Sequence, residues 1–140
     1  MAAFYRFSVM ERLPELRLEL LDLAAALGVR GTILLAEEGV NGTISGPDAG
    51  VNAVLSRLRR CSGLEPLEAK FSRAPRPTFH RLKVRLKREI VTMGCPTVKP
   101  SEQVGTYVPP QQWDTLIRDP DTLLVDTRNT YEVAIGSFAG

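Results

Sequence analysis

Residues 79–92 read FHRLKVRLKREIVT, and within them Arg81, Lys83, Arg85 and Lys87 alternate with Leu82, Val84 and Leu86. A β-strand points successive side chains to opposite faces, so this period of two predicts a strand with one apolar face and one row of four cations. The apolar face has to be buried against something. The cationic face has to meet water or an anion, and its regular spacing suits a polyanion backbone better than a small ligand. Nucleic acid is the first partner class it suggests.

Charge along the rest of the chain points the same way. The 140 residues carry a formal net charge of +2, unevenly spread. Residues 1–95 hold 15 Lys and Arg against 10 Asp and Glu, whereas residues 96–140 hold 3 against 6. Eight basic residues and no acid lie between Lys70 and Arg88. Halves of opposite sign suggest two units, the first suited to an anionic partner. An apolar fraction of 44% is ordinary for a globular chain. No apolar run approaches the roughly 18–20 residues that span a bilayer, and residues 2–9 are too short and polar for an export signal. No membrane association is expected, and the cytoplasm is the default compartment.

Hydrophobic period and turn residues place the elements. Residues 3–9 read as a strand with Tyr5, Phe7 and Val9 on one face. Pro14 opens a helix carrying Leu13, Leu16, Leu20, Leu23, Ala24 and Leu27, with Gly28 as its stop. Residues 31–36 and 40–45 form a hairpin around Glu37–Gly39. A second helix starts at Gly46–Pro47–Asp48 and buries Val51, Val54, Leu55 and Leu58, with Arg57, Arg59 and Arg60 near its end, where the dipole favours cations. A fourth strand covers residues 67–72. The order βαββαβ is the ferredoxin-like pattern of an α+β domain.

An extended connector, APRPT at 74–78, leads into the basic strand, which is expected to end near Met93–Gly94. Residues 95–108 are rich in Pro, Gly, Ser and Thr and read as a linker. A short helix with Trp113, Leu116 and Ile117 follows Pro109–Pro110, then a short buried strand at 122–125. Asn129 and Glu132 have the spacing of a capping box. These last elements are too few to bury a core alone. The expectation is a first domain over 1–94 and a second that begins within 109–140 and is cut at Gly140, or a last segment that packs on the first domain.

The candidate anion contacts are Arg81, Lys83, Arg85, Lys87 and Arg88, with Phe79 and His80 placed to meet a base or ribose. Phosphate binding by such a row would depend on salt, and aromatic rings stack on unpaired bases. The same row also suits a solvated strand face, or an edge strand charged to prevent sheet-to-sheet pairing. Gly39, Gly42 and Gly46 read as turn and close-packing residues, and Glu37, Glu38 and Asn41 sit at a hairpin tip. Acylphosphatase chemistry needs a glycine-rich anion loop with an arginine after the first strand. The loop here, MERLP at 10–14, has Arg12 and no glycine, which disfavours that activity. Cys61 and Cys95 make no metal-ligand spacing and no disulfide is expected; with His80 the sole histidine, a conventional His/Cys metal site is not expected either. Cys61 reads as a packing residue.

Longer motifs add a resemblance. Residues 125–140 resemble the opening of rhodanese domains, with Asp126, Arg128, Glu132, Gly136 and Gly140 in register and Val133 and Ser137 departing from the usual aromatic and histidine. GTILLAEEGVNGTISG, FHRLKVRLKREIVTMG, VGTYVPPQQWDTLI and VDTRNTYEVAIGSF together resemble the rhodanese-related tRNA uridine hydroxylase family, also called YceA-like or UPF0176 proteins. The resemblance implies an acylphosphatase-like domain followed by a rhodanese domain. It also implies tRNA as partner and oxygen-dependent conversion of the wobble uridine to 5-hydroxyuridine.

In that family the essential cysteine lies in a rhodanese loop beyond the Asp-x-Arg strand. Neither Cys61 nor Cys95 matches its context, so no catalytic residue is assigned here and this chain alone is expected to be inactive. The other readings are a rhodanese-type sulfurtransferase and a non-catalytic module that docks a protein along a sheet edge. Cofactor and oligomeric state stay open; no flavin, nicotinamide or iron motif is present.

Overall fold

The computed structural model describes residues 1–76, 78–92, 94, 102 and 105–137. The chain divides into two compact units, Met1–Val104 and Gly105–Gly140.

In the first unit, leucines at a helical repeat and strands of period two generate two layers. The order is β1 (Ala2–Phe7), α1 (Leu13–Ala26), β2 (Arg30–Ala36), β3 (Gly39–Ser45), α2 (Asp48–Arg59), β4 (Ala69–Phe71) and β5 (Leu82–Leu86). The sheet runs β4-β1-β3-β2-β5. The first four strands have the ferredoxin-like arrangement expected from βαββαβ, each neighbour antiparallel. β5 adds a fifth strand beside β2 and parallel to it.

Both helices contribute to one buried cluster. Leu16, Leu20 and Ala24 of α1 and Val51, Val54, Leu55 and Leu58 of α2 pack with Phe4, Ile33, Leu35, Val40, Ile44 and Val84 of the strands. These spacings of three and four put each helix's buried residues on one stripe. Leu64 and Leu67, in the loop before β4, complete the cluster. The chain leaves α1 through Gly28, whose φ of 67° is the left-handed conformation that ends helices. Gly31 has φ 134°, and a Cβ there would lie 2.2 Å from the Thr43 carbonyl oxygen and 2.7 Å from Ile44 Cα. Backbone, not a movable side chain, occupies that space.

Several expected elements have other bounds: β1 covers Ala2–Phe7, not 3–9, which leaves Val9 outside it. β4 covers Ala69–Phe71, not 67–72. The Leu67 carbonyl accepts hydrogen bonds from Arg59 Nε (3.1 Å) and Nη2 (3.0 Å), which holds Leu67 in the loop rather than the ladder. The basic strand is shorter than expected. It ends at Leu86, opposite Leu35, because β2 itself stops at Ala36. Residues 122–125 are neither strand nor buried: Leu123 is 86% and Val125 67% exposed. No strand runs beside them among the described residues of the second unit, and an isolated strand leaves its backbone groups unpaired.

The second unit contains α3 (Pro110–Ile117) and α4 (Thr130–Val133). The expected capping box is present at α4, where Asn129 N–H donates to Glu132 Oε2 at 3.0 Å. Cys95 and most of the expected linker lie outside the described residues.

Gly31→Ala is expected to destabilise the first unit by roughly 3 kcal/mol, the combined scale of backbone strain and overpacking. A urea melt followed by circular dichroism checks this, with the midpoint falling and the slope unchanged.

Candidate nucleic-acid interface

The sheet has two unlike faces. α1 and α2 cover the face that carries Phe4, Ile33, Ile44 and Val84. The register fixes what stands on the other. Lys70, Ala3, Thr43, Thr32 and Lys83 are successive cross-strand partners from β4 to β5. The next row is Tyr5, Asn41, Leu34 and Arg85.

β5 matches the expected alternation. Val84 is 3% exposed and Leu82 packs on the core, whereas Arg81, Arg85 and Lys87 are exposed and Lys83 half-buried. Leu86 departs from the apolar face, at 44% exposed, where the strand runs past its cover. No ion pair joins Arg81, Lys83, Arg85, Lys87 or Arg88 to a carboxylate among the described residues. Arg88 and His80 are exposed and lie outside β5, and Phe79 is half-buried. The seven predicted contact residues therefore do not form one row. Lys83 and Arg85 hold known positions in the ladder, and the others flank it.

β5 is an edge strand, and hydrogen bonds on its free edge and beyond its end tie it down. Arg17 Nε, from α1, donates to the Val84 carbonyl at 2.9 Å and so satisfies an acceptor on the free edge. After β5, Lys87 N–H donates to the Leu35 carbonyl at 2.9 Å and Ile90 N–H to Glu38 Oε1 at 2.6 Å. Asn41 Nδ2 points to the Ile90 carbonyl at 3.5 Å. Glu38 and Asn41, candidates at the hairpin tip, thus hold the chain's own backbone. Ile90 and Ala36 are buried at 3% and 0% yet stand outside the main core cluster. The segment after β5 closes one end of the open face.

At the other end, a cleft of about 400 Å³ is lined by Arg30, Ser45, Gly46, Arg76 and Thr78 among others. The connector makes this cleft. β4 and β5 are opposite edges, so residues 72–81 must cross four strand spacings, about 19 Å. Ten extended residues reach roughly 33 Å, enough to cross and to stand off from the sheet end.

The loop before α1 does not offer an anion cradle. Ser8 and Met10 N–H donate to the Glu38 and Glu37 carbonyls, both at 2.9 Å. Arg12 takes φ 53° and lies 3.7 Å from Glu15. Beside this loop, Arg57 Nε donates to Glu19 Oε2 at 2.7 Å and Arg57 Nη1 to Cys61 Sγ at 3.3 Å. Burial works against the Arg57 charge, but the bonds to Glu19 and Cys61 outweigh it and raise its pKa. Cys61 is half-buried and engaged by that arginine, in keeping with a packing role.

The family model of the UPF0176 acylphosphatase-like domain matches residues 1–90. The chain belongs to this family. Relatives named tRNA uridine(34) hydroxylase align along nearly its whole length. Those of Agrobacterium fabrum and Gluconobacter oxydans are 56% and 52% identical over 99% of the chain and 44% of their own length. That of Ruegeria pomeroyi is 56% identical over 99% of the chain and 46% of its own length. The chain thus spans less than half the length of these curated relatives.

In the second unit of this UPF0176 chain, Asp126 and Arg128 make a two-pronged pair. Arg128 Nη2 lies 2.7 Å from Asp126 Oδ2 and Nε 3.0 Å from Oδ1, and Arg128 N–H also donates to Oδ1 at 3.0 Å. These bonds, led by the guanidinium, hold the Asp126 carboxyl at about 2. Asn129 lowers Glu132 in the same manner, through its side chain first and its N–H second. No group of three or more His, Cys, Asp or Glu is placed to hold a metal ion among the described residues.

Two outcomes follow. Arg17→Ala removes the edge bond and is expected to weaken β5 docking by about 1 kcal/mol, read as faster amide hydrogen exchange in β5 than in β3. The Asp126 carboxyl is expected to titrate by NMR near 2, and higher in Arg128→Ala, where the side-chain bonds are lost and the backbone N–H bond remains. Its folded pKa is depressed, so any stabilisation is present above its unfolded value and lost as pH falls through about 2.

Proposed function

We propose that this chain is the tRNA-holding part of an enzyme that hydroxylates the wobble uridine of tRNA to 5-hydroxyuridine, drawing on molecular oxygen. The observation that carries this reading is the 56% identity, along 99% of the chain, to relatives named tRNA uridine(34) hydroxylase. The cationic strand supports the division of labour. Lys83 and Arg85 stand side by side with Thr32 and Leu34 on the sheet face opposite the helices, and Arg81, Lys87 and Arg88 extend the charge along the edge. Cations spaced along a strand attract successive phosphates and release their counterions.

Catalysis is assigned to none of this chain's residues. The rhodanese-like pattern at Asp126, Arg128 and Glu132 marks the start of the unit expected to carry the reactive cysteine in the longer relatives. The chain alone is therefore expected to bind tRNA without modifying it. Docking of a protein along the β5 edge is the weaker reading, because Arg17 already occupies the Val84 carbonyl and the strand is rich in cations, two devices that blunt an edge.

Fluorescence anisotropy with labelled tRNA tests the proposal. Log affinity is expected to fall against log salt with a slope of roughly −3, for four phosphates contacted. Lys83→Glu with Arg85→Glu is expected to make the slope shallower by about 2 and to weaken low-salt binding at least about tenfold. Binding that ignores both salt and the double substitution would remove the cationic strand from the interface.

A further inference from the structure

Beyond the row of cations, the face opposite the helices holds an aromatic pair on β1, towards the β2–β3 hairpin end. Alternation along β1 puts Ala2 and Phe4 in the core and Ala3, Tyr5 and Phe7 on the opposite face. Tyr5 is 49% exposed, and its ring stands edge-on to Phe7 with centroids 6.4 Å apart at 75°. Asn41 and Leu34 stand in the row of Tyr5, and the adjacent row is floored by the small residues Ala3, Thr43 and Thr32. No carboxylate stands at any of these register positions. Cations frame the floor: Lys70 on β4, Lys83 and Arg85 on β5, and Arg30 and Arg76 at the cleft. Tyr5 and Arg85 share a row three strand spacings long, about 14 Å.

We propose that this face binds a short run of unpaired RNA nucleotides, with one base stacked on Tyr5 and the flanking phosphates drawn to Arg30 and Arg76 at one end and to Lys83 and Arg85 at the edge. The inference rests on the tRNA-binding reading and specifies which part of the RNA this face takes. A phosphate backbone needs only charge, which any basic surface supplies. A half-exposed ring adds a π-face, and a base reaches it only when it is splayed out of a helix. Duplex RNA keeps its bases stacked on one another and meets the cations alone. The wobble uridine lies in a single-stranded loop, so its neighbours are nucleotides that such a platform can hold.

The test compares the 140-residue chain binding a fluorescent oligouridine and a short RNA duplex at low salt. Tyr5→Ala is expected to weaken oligouridine binding roughly 5- to 100-fold, the range for loss of one stacked base, and to leave duplex binding unchanged. Tyr5→Phe keeps the ring and is expected to bind both like the parent. Arg30→Ala with Arg76→Ala should make the oligouridine salt slope shallower by about 1–2. Should Tyr5→Ala unfold, Tyr5→Leu supplies a ring-free face in a strand-compatible residue. Unchanged oligouridine affinity in a folded ring-free variant overturns the proposal, as does equal loss in Tyr5→Ala and Tyr5→Phe. If Lys83→Glu with Arg85→Glu abolishes tRNA binding while the ring-free variant is neutral, only the stacking platform falls. A parent chain that binds neither tRNA nor oligouridine at low salt sinks both readings.

Discussion

Ile33 stands opposite Val84, and the character of the outer sheet face depends on that pairing. It places Val84 over α1 in the core and leaves Lys83 and Arg85 beside Thr32 and Leu34 on the face opposite the helices. A slip of one residue would bury two cations without partners and expose Val84 and Leu82, a cost no local interaction could offset. The hydrophobic half of the alternation therefore enforces the position of the cationic half. The charges need no bonds of their own to be held in line.

The same pairing shapes the ends of the face. β2 ends at Ala36, so β5 loses its partner after Leu86 and the chain turns across the hairpin, where Glu38 and Asn41 take hold of Ile90. At the opposite end the connector must travel from one edge of the sheet to the other, which raises Arg76 and Thr78 near Arg30 and Ser45. One end of the face is closed by buried Ile90 and Ala36, and the other opens into a cleft framed by arginines.

Much of the fold was legible. α1 and α2 declare themselves through leucine and valine spacing, and their boundaries through Pro14, Gly28 and Pro47. The hairpin and the capping box at Asn129 were legible for the same reason, since turns and caps depend on residues close in sequence. Residues 122–125 misled because Leu-Leu-Val satisfies strand propensity, while a strand needs a neighbour that propensity cannot supply. The roles of Glu38 and Asn41 were hidden because their partner, Ile90, lies some fifty residues away. Tyr5 and Phe7 could be assigned to one face of β1. That this face is also the cationic face of β5 required the register of three intervening pairings.

Sequence alone determined that β5 would have a dry face and a charged face, because side-chain alternation is a property of a strand wherever it goes. It also determined two amphipathic helices and the order βαββαβ, both products of short-range period and turn chemistry. Only the tertiary structure decided that β5 joins β2 in parallel as a fifth strand, that its cations share a face with Tyr5, and that Arg17 seals its outer edge. Those outcomes depend on contacts between distant segments. Their energy comes from burying Val84 and Ile33 together in a shared core, which no window of neighbouring residues contains.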